Sequence, residues 1–264
     1  MLTIKSTPLY LGTSGYQHDD WIGNFYPEGI NHYEMFDYYM SQFNFVEITF
    51  TFYKIPYKNT IQSIMDRINR DIFFSIRLHK DFLRGKYSHK ELGEFLEGLS
   101  PFLNNGRIKA FFADYNYKFS ASKQNIELIE KIRKDFPSDI PFFVELPNIT
   151  WFKERFLDNF KTKKIGLIGL HMPNIRGLAP FYPINTNFYT YLRLYGKSRL
   201  WVLPDDKELN YNYKTEELKN ILESCVDASV LSKEAFISFC NVGQGHAPDN
   251  ALKVKRIIEQ EYGG

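Results

Sequence analysis

Charged side chains recur where short apolar segments of this sequence end, and they are the residues that could do chemistry. Two carboxylates, Glu47 and Glu145, and two arginines, Arg77 and Arg193, lie in or at the end of such segments. The planar fork of arginine matches a carboxylate or phosphate, so the arginines are candidate clamps for an anionic group. A carboxylate whose pKa is shifted by burial or by a second carboxylate can act as a general acid or base. The pattern favours an acid–base site around Glu145, with Glu47 as its second carboxylate.

Short segments rich in apolar and β-branched residues recur along the chain and predict eight strands. The predicted strands are Leu9–Gly12, Phe45–Thr49, Phe73–Leu78, Ile108–Ala113, Phe142–Leu146, Ile165–Leu170, Tyr189–Leu194 and Ala235–Phe239. Amphipathic segments of helical length separate most of them: His32–Gln42, Thr60–Asn69, Lys90–Leu103, Lys123–Lys134, Thr215–Glu223 and Ala247–Glu261. Trp151–Phe160 predicts a shorter helix, and Met172–Asn187 an irregular loop. This alternation indicates parallel strands with right-handed crossovers.

Eight strand–helix units in 264 residues predict an α/β fold, a single (β/α)8 TIM-type barrel over residues 1–264. The alternative is a doubly wound open sheet. That fold would favour a glycine-rich phosphate loop at the start of a helix, and the sequence has no Gly-x-Gly-x-x-Gly or Walker-type segment.

Strand parity predicts which side chains meet inside such a barrel. Alternate residues of each strand face the helices or the interior, and the apolar set should face the helices. This assigns the four charged residues named above to the interior. Active sites of TIM barrels lie at the C-terminal ends of the strands, so we expect polar side chains to gather at that mouth. The remaining members of the predicted site are Ser14, His79, Asp114, His171, Tyr195 and Asn241.

Each candidate also has a structural interpretation that stays open from sequence alone. Glu47 with an arginine could be an ion pair that organises the barrel, and Arg193 could be a buried strut among inward tyrosines. His79 and His171 could be surface or capping residues. Asp114 could cap a helix.

Composition narrows the classes of function. The 33 Lys and Arg residues nearly balance the 31 Asp and Glu residues, so a nucleic-acid partner is weakly supported. The two cysteines, Cys225 and Cys240, form no Cys-x-x-Cys pair, which argues against a structural zinc site or a disulfide framework. The sequence shows no signal-peptide pattern and no apolar run near the roughly 20 residues that span a bilayer. We therefore expect a cytoplasmic protein with no membrane partner; no motif identifies a cofactor.

Two segments near the N-terminus are distinctive. Gly12–Tyr16 is followed by Trp21 and Phe25–Pro27, and Phe43–Ile48 is followed by the pair Phe52–Tyr53. With later segments in the same order, they resemble the YecE-like family, catalogued as domain of unknown function number 72. The resemblance covers nearly the whole chain and implies a TIM-type barrel without an established activity. It also implies that Trp21 and the aromatic residues of Phe25–Pro27 pack over the mouth.

The sequence departs from the family pattern at positions that would carry charge or transfer protons. Arg77 stands where the family usually has lysine, and Tyr195 where it has histidine. Ala113, Pro147 and Asn148 replace a glutamine, an arginine and a histidine. The residues that match are Glu47, Glu145, Arg193 and Asn241. We therefore expect that this protein differs from the family in specificity or has lost activity.

Three functions are compatible with these residues. The first is an enzyme that acts on a small anionic or sugar-like molecule, with Glu145 as acid or base. The second is a metal-dependent enzyme with Glu145, Asp114 and His171 as ligands, although no His-x-His or His-Glu-x-x-His spacing supports it. The third is a non-catalytic binding module for a phosphorylated ligand or nucleic acid. A small molecule is the expected partner.

Overall fold

The computed structural model describes residues 2–199 and 209–262. The strands are β1 (Thr3–Ile4), β2 (Thr7–Ser14), β3 (Phe45–Ile48), β4 (Phe73–Arg77), β5 (Ile108–Asp114), β6 (Phe142–Glu145), β7 (Ile165–Leu167), β8 (Gly169–His171), β9 (Tyr189–Leu194) and β10 (Glu234–Phe239). The helices are α1 (His32–Gln42), α2 (Lys58–Met65), α3 (Lys80–Leu83), α4 (His89–Gly98), α5 (Ser100–Asn104), α6 (Lys123–Asp135), α7 (Glu154–Lys163), α8 (Thr215–Ser229) and α9 (His246–Glu261).

The parallel strands form a nearly closed ring. Their order is β7-β6-β5-β4-β3-β2-β10-β9-β8, and only the short β1 runs antiparallel, against the start of β2. Leu9 of β2 pairs with Ala235 of β10, while Gly12 pairs with Phe45 of β3. The first strand therefore has a neighbour on each side. The predicted TIM-type barrel is confirmed, and the open-sheet alternative is wrong.

The two ends of this strand order are consecutive pieces of one chain segment. The sixth predicted strand, Ile165–Leu170, is divided into β7 and β8 at Ile168. β7 pairs with β6 and β8 pairs with β9. The N-terminal part of the segment thus pairs with one neighbour and its C-terminal part with the other. The nine parallel strands thus occupy the eight positions of a TIM-type barrel.

The helical layer differs from the prediction in two places. The predicted helix Lys90–Leu103 is two helices, α4 and α5, that meet at Leu99. Pro101 lies in the first turn of α5, where its missing N–H removes no helical hydrogen bond. The short α3 was not predicted. Within residues 2–199 and 209–262, no helix has the length and apolar character needed to cross a membrane.

The core has two layers that follow strand parity. The larger cluster packs the outward faces of the strands, such as Val46, Ile76 and Val144, against the helices. A second cluster fills the barrel and is rich in aromatic residues: Tyr10, Phe45, Phe112, Phe143, Tyr191 and Phe236. Both faces of β10 are apolar in sequence, and Phe236 is on the face that points into the barrel. The interior is a packed aromatic plug, and the charged residues of the mouth lie above it.

Candidate functional site

Arg193 is the centre of a buried hydrogen-bond network near the C-terminal ends of the strands. Its side chain projects inward from β9, and it is 3% exposed. Nε and Nη2 donate to the two carboxylate oxygens of Glu47, each at 3.0 Å. Nη1 donates to Glu145, and Nη2 also reaches Ser14 Oγ at 3.4 Å. All three guanidinium nitrogens are therefore bound by protein, as in the predicted strut.

Glu47 is the structural member of this network. It is fully buried, and it also accepts a hydrogen bond of 2.8 Å from the hydroxyl of Tyr191. A buried carboxylate held by a bidentate arginine and a tyrosine has its acceptors occupied. Its contacts match the structural interpretation of an ion pair that organises the barrel.

Glu145 occupies the end of β6 and has a different environment. Its carboxylate contacts Arg193 and accepts from the Tyr195 hydroxyl, which lies 2.9 and 3.0 Å from its two oxygens. Burial raises the pKa of Glu145; the charge of Arg193 opposes this shift and that of Asp114 adds to it. A carboxyl group whose pKa is raised by its surroundings can hold a proton closer to neutral pH.

Arg77 and Asp114 form the more exposed part of the cluster. Arg77 Nε lies 2.8 Å from one Asp114 oxygen and Nη2 lies 2.5 Å from the other, which makes a bidentate pair. The Arg77 guanidinium also lies over the ring of Phe52 at 3.9 Å. Asp114 is paired in register with Glu145 on the neighbouring strand. Arg193 thus contacts Glu145 directly, Arg77 binds Asp114 on the neighbouring strand, and both arginines are already paired.

The charges of the cluster do not balance. Two guanidinium groups, of Arg77 and Arg193, face three carboxyl groups, of Glu47, Asp114 and Glu145. With every group ionised, the cluster carries one excess negative charge. Proton uptake by Glu145 would neutralise it, which agrees with the direction of its pKa shift.

His171 does not join the cluster, so its predicted inward orientation is wrong. Ile168 and Leu170 belong to the interior cluster, which places His171 on the opposite face of the strand. There its Nδ1 lies 2.9 Å from the Tyr213 hydroxyl and its ring packs on Phe181. Burial lowers the pKa of His171 to about 4. Both faces of this strand are apolar. The rule that the apolar face points towards the helices therefore could not assign the inward residues.

His79 and Asn241 also have structural roles. His79 caps α3, and its Nδ1 accepts from the backbone N–H of Asp81 at 3.3 Å. The Asn241 amide donates to the Tyr211 carbonyl at 2.7 Å and to Asn250 at 2.9 Å, tying together segments that flank β10. Neither side chain makes a hydrogen bond to the arginine network among the described residues. Their assignment to the ligand site is not supported by these contacts.

The predicted metal ligands do not converge. Asp114 and Glu145 are neighbours, but His171 faces the other side of its strand. In the part of the chain that the structure describes, no group of three His, Cys, Asp or Glu residues is arranged to hold a metal ion. The geometry gives the metal-dependent alternative no support.

A family model for proteins of unknown function, DUF72, matches residues 10–264. The chain belongs to the DUF72 family. Its barrel is similar to the crystal structure of a DUF72 protein from Thermotoga maritima, with 29% identity, a TM-score of 0.87, and coverage of 96% of this chain and 99% of that one. A DUF72 protein from Enterococcus faecalis is 24% identical with a TM-score of 0.84, over 96% of both chains. No curated protein matches the chain in sequence.

Tyr195 and Arg77, at which the sequence predicts a departure from the family pattern, both lie in the cluster. Tyr195 donates to Glu145, and Arg77 holds Asp114. A tyrosine hydroxyl does not carry the positive charge that a histidine can take up near neutral pH. At position 195 the cluster thus has a neutral hydrogen-bond donor to Glu145, the carboxyl group whose pKa burial raises.

One residue of the DUF72 mouth was not predicted from the sequence. His18 follows β2, and its ring stacks on Trp21 at 4.5 Å with Nε2 lying 3.4 Å from the Ser14 carbonyl oxygen. Burial lowers the pKa of His18, while the Ser14 carbonyl opposes the shift. In a neutral imidazole, the ring nitrogen that carries no hydrogen accepts a proton, here Nδ1 when Nε2 donates to the Ser14 carbonyl. Its position shortly after a strand and three residues before Trp21 is the feature of the sequence that could have identified it.

The aromatic loop lies beside the mouth rather than over it. Trp21, Phe25 and Tyr26 are buried, and all three belong to the cluster between strands and helices. Trp21 Nε1 donates to the carbonyl of Val242, just after β10, at 2.6 Å. The loop thus supports the rim where β2 meets β10, and holds His18 in place.

Proposed function

We propose that the protein is an enzyme that transfers a proton to or from a small polar molecule at the C-terminal mouth, with Glu145 as the acid or base. The environment of Glu145 carries the proposal: a strand-end carboxyl group, 3% exposed, with its pKa raised by burial and with Tyr195 and Arg193 fixing its orientation. Enzymes tune carboxyl groups upward in this way so that they can exchange protons near neutral pH.

The charge of the cluster favours a neutral, hydroxyl-rich, sugar-like substrate over an anionic one. Arg77 and Arg193, the expected anion clamps, are each held by carboxylates. When Glu145 is ionised, the excess negative charge would repel a phosphate or carboxylate, and when Glu145 is protonated, the cluster is neutral and offers no net attraction. A hydroxyl group, by contrast, can donate to Asp114 or accept from the Arg77 guanidinium, whose Nη1 has no hydrogen-bond partner among the described residues.

Aromatic side chains on loops after the strands support a ring-shaped substrate. Phe50 and Tyr53 follow β3, and Tyr117 follows β5; they are 39%, 59% and 42% exposed. Phe52 already packs beneath the Arg77 guanidinium. Aromatic faces offer large apolar area at a polar rim, which suits a ring with one apolar face and polar edges.

One observation favours the second candidate, a non-catalytic binding module. Glu47, Glu145 and Arg193 satisfy one another and are almost fully buried, as a structural network would be. In that case Glu145 would stabilise the barrel without touching a ligand. The two candidates differ in what loss of the Glu145 charge does to stability and to ligand response.

The test is Glu145→Gln compared with Glu234→Gln at the opposite end of the barrel. Glu234 is a partly buried carboxylate that, like Glu145, is bound by a tyrosine hydroxyl and a basic side chain, here Tyr10 and Lys109, so it is the control at a distance from the mouth. Neutral monosaccharides, their phosphates and nitrophenyl glycosides are screened by thermal shift and by product release. We expect the wild type and Glu234→Gln to show a thermal shift or product release with a neutral sugar or glycoside. Glu145→Gln should lose both signals with little loss of stability. A loss of about 3 kcal/mol in Glu145→Gln with an unchanged response would instead identify a strut.

A further inference from the structure

A cavity of about 270 Å³ lies at the N-terminal end of the barrel, away from the mouth. Its lining includes Asn44, just before β3, and residues next to or at the start of β4, together with side chains from α1 and α9. Its apolar lining is formed by Leu2, Leu11, Met40, Phe43 and Phe73. The volume is close to the lower limit of small-ligand pockets, roughly 300 Å³. We call it the lower cavity.

Positive charge without a carboxylate partner lines the lower cavity. Arg70 and Lys255 both line it, and neither makes an ion pair within residues 2–199 and 209–262. Asp71, the one acidic residue in the lining, lies 3.6 Å from Arg107. Lys255 Nζ donates to the Gln42 carbonyl at 3.1 Å, which holds the ammonium group at the wall with other donors available. The cavity therefore combines an apolar lining with two cations, the exposed Arg70 and the partly buried Lys255, that make no ion pair among the described residues.

A second cavity lies beside α6 and has a different lining. It is lined largely by charged residues, including Lys131 and Lys163. Lys131 pairs with Asp135 at 2.7 Å, and Lys163 lies 3.8 Å from Glu130. Arg133 and Lys134 also line it and make no ion pair among the described residues, so unpaired cations occur here too. The difference is in the apolar residues, because Phe136 is the one apolar residue in this lining and the lower cavity has five.

We infer that the lower cavity binds a small anion that carries an apolar chain or ring, such as a medium-chain carboxylate. The anionic group meets Arg70 and Lys255, and the apolar part lies against Met40, Phe43 and Phe73. Charge-assisted hydrogen bonds from arginine and lysine to a carboxylate are the stronger class of hydrogen bond in proteins. Apolar lining with a few convergent polar groups is the usual composition of a small-molecule site.

Octanoate is the probe, and methionine methyl groups report where it binds. Met40 lines the lower cavity, whereas Met172 belongs to the interior cluster just after β8, towards the mouth. In a protein labelled with carbon-13 at the methionine methyl groups, octanoate should shift the Met40 signal and leave Met172 unchanged. A shift of Met172 alone, or no shift at millimolar octanoate, would overturn the inference. The result is independent of the sugar screen because the two sites lie at opposite ends.

Variants and a second probe test the role of charge. Arg70→Gln and Lys255→Gln should each weaken octanoate binding about tenfold, the loss of one charge-assisted contact. Arg256→Gln, which makes the same charge change one residue along α9 but outside the lining, should bind like the wild type. 1-Octanol should bind at least tenfold more weakly than octanoate. Its affinity should be the same in the wild type and in all three variants. Equal affinity of octanol and octanoate, or unchanged binding in both lining variants, would refute the proposed anion site.

Discussion

Glu47→Gln is the most informative perturbation of the buried network, because it removes one charge and almost no volume. Glu47 is fully buried and accepts two hydrogen bonds of 3.0 Å from Arg193 and one of 2.8 Å from Tyr191. Glutamine would turn an NH2 group towards donors, leaving one of them unpaired. Breaking a buried ion pair costs about 3–5 kcal/mol. Arg193 would still have its ion pair with Glu145. We therefore expect a loss at the lower end of this range, about 3 kcal/mol of unfolding free energy.

The measurement is urea denaturation at pH 7, with thermal unfolding as a second observable. For a chain of this size each 1 kcal/mol shifts Tm by roughly 2–4 °C, so Tm should fall by about 6–12 °C. The control is Glu97→Gln, which removes a carboxylate from an exposed pair with Lys58. That change should cost less than about 1 kcal/mol. If Glu47→Gln costs no more than the control, the buried-network reasoning is wrong.

Two further predictions concern His171 and Gly12. Burial lowers the pKa of His171 from 6.5 to about 4. Between pH 6.5 and pH 4 the unfolded chain therefore binds more protons than the folded protein. The free energy of unfolding should fall by roughly 3 kcal/mol as the pH drops through that range. His171→Gln should flatten this part of the stability–pH curve, and an unchanged slope would contradict the assignment. At Gly12 a Cβ would lie 1.8 Å from the Phe45 carbonyl oxygen, so Gly12→Ala should cost on the order of 3 kcal/mol in urea denaturation. Gly93→Ala, where a Cβ meets nothing within 4 Å, should instead gain roughly 0.5–1 kcal/mol, and similar values for both would refute the packing argument.

The fold was predictable from sequence because strand parity has a clear polar contrast in most of the barrel. On β3, β4 and β6 one face is apolar and the other carries Glu47, Arg77 or Glu145, and the structure places these three as expected. The contrast fails between β7 and β8, where both faces are apolar. There the parity, and with it the orientation of His171, depends on packing inside the barrel.

The pairing within the site was not predictable, because it depends on distances across the barrel. Arg193 and Glu47 are 146 residues apart in the chain, and nothing local indicates that they form a bidentate pair. The same holds for Arg77 and Asp114, 37 residues apart. Sequence parity showed that these groups face the interior. It could not show that the arginines would be occupied by carboxylates rather than open to an anion.

The pairing of β2 with β10 also sets the order in which the protein can be made. β2 is synthesised before the other parallel strands, but its partner Ala235 and the rest of β10 are synthesised only after seven of the eight barrel positions. Until then β2 and β9 present open strand edges, which are sites for pairing with other chains. Long-range closure of this kind is slow, and the waiting chain is exposed to aggregation. A nascent chain stalled before β10 is therefore a substrate for chaperones and proteases rather than a smaller version of the barrel.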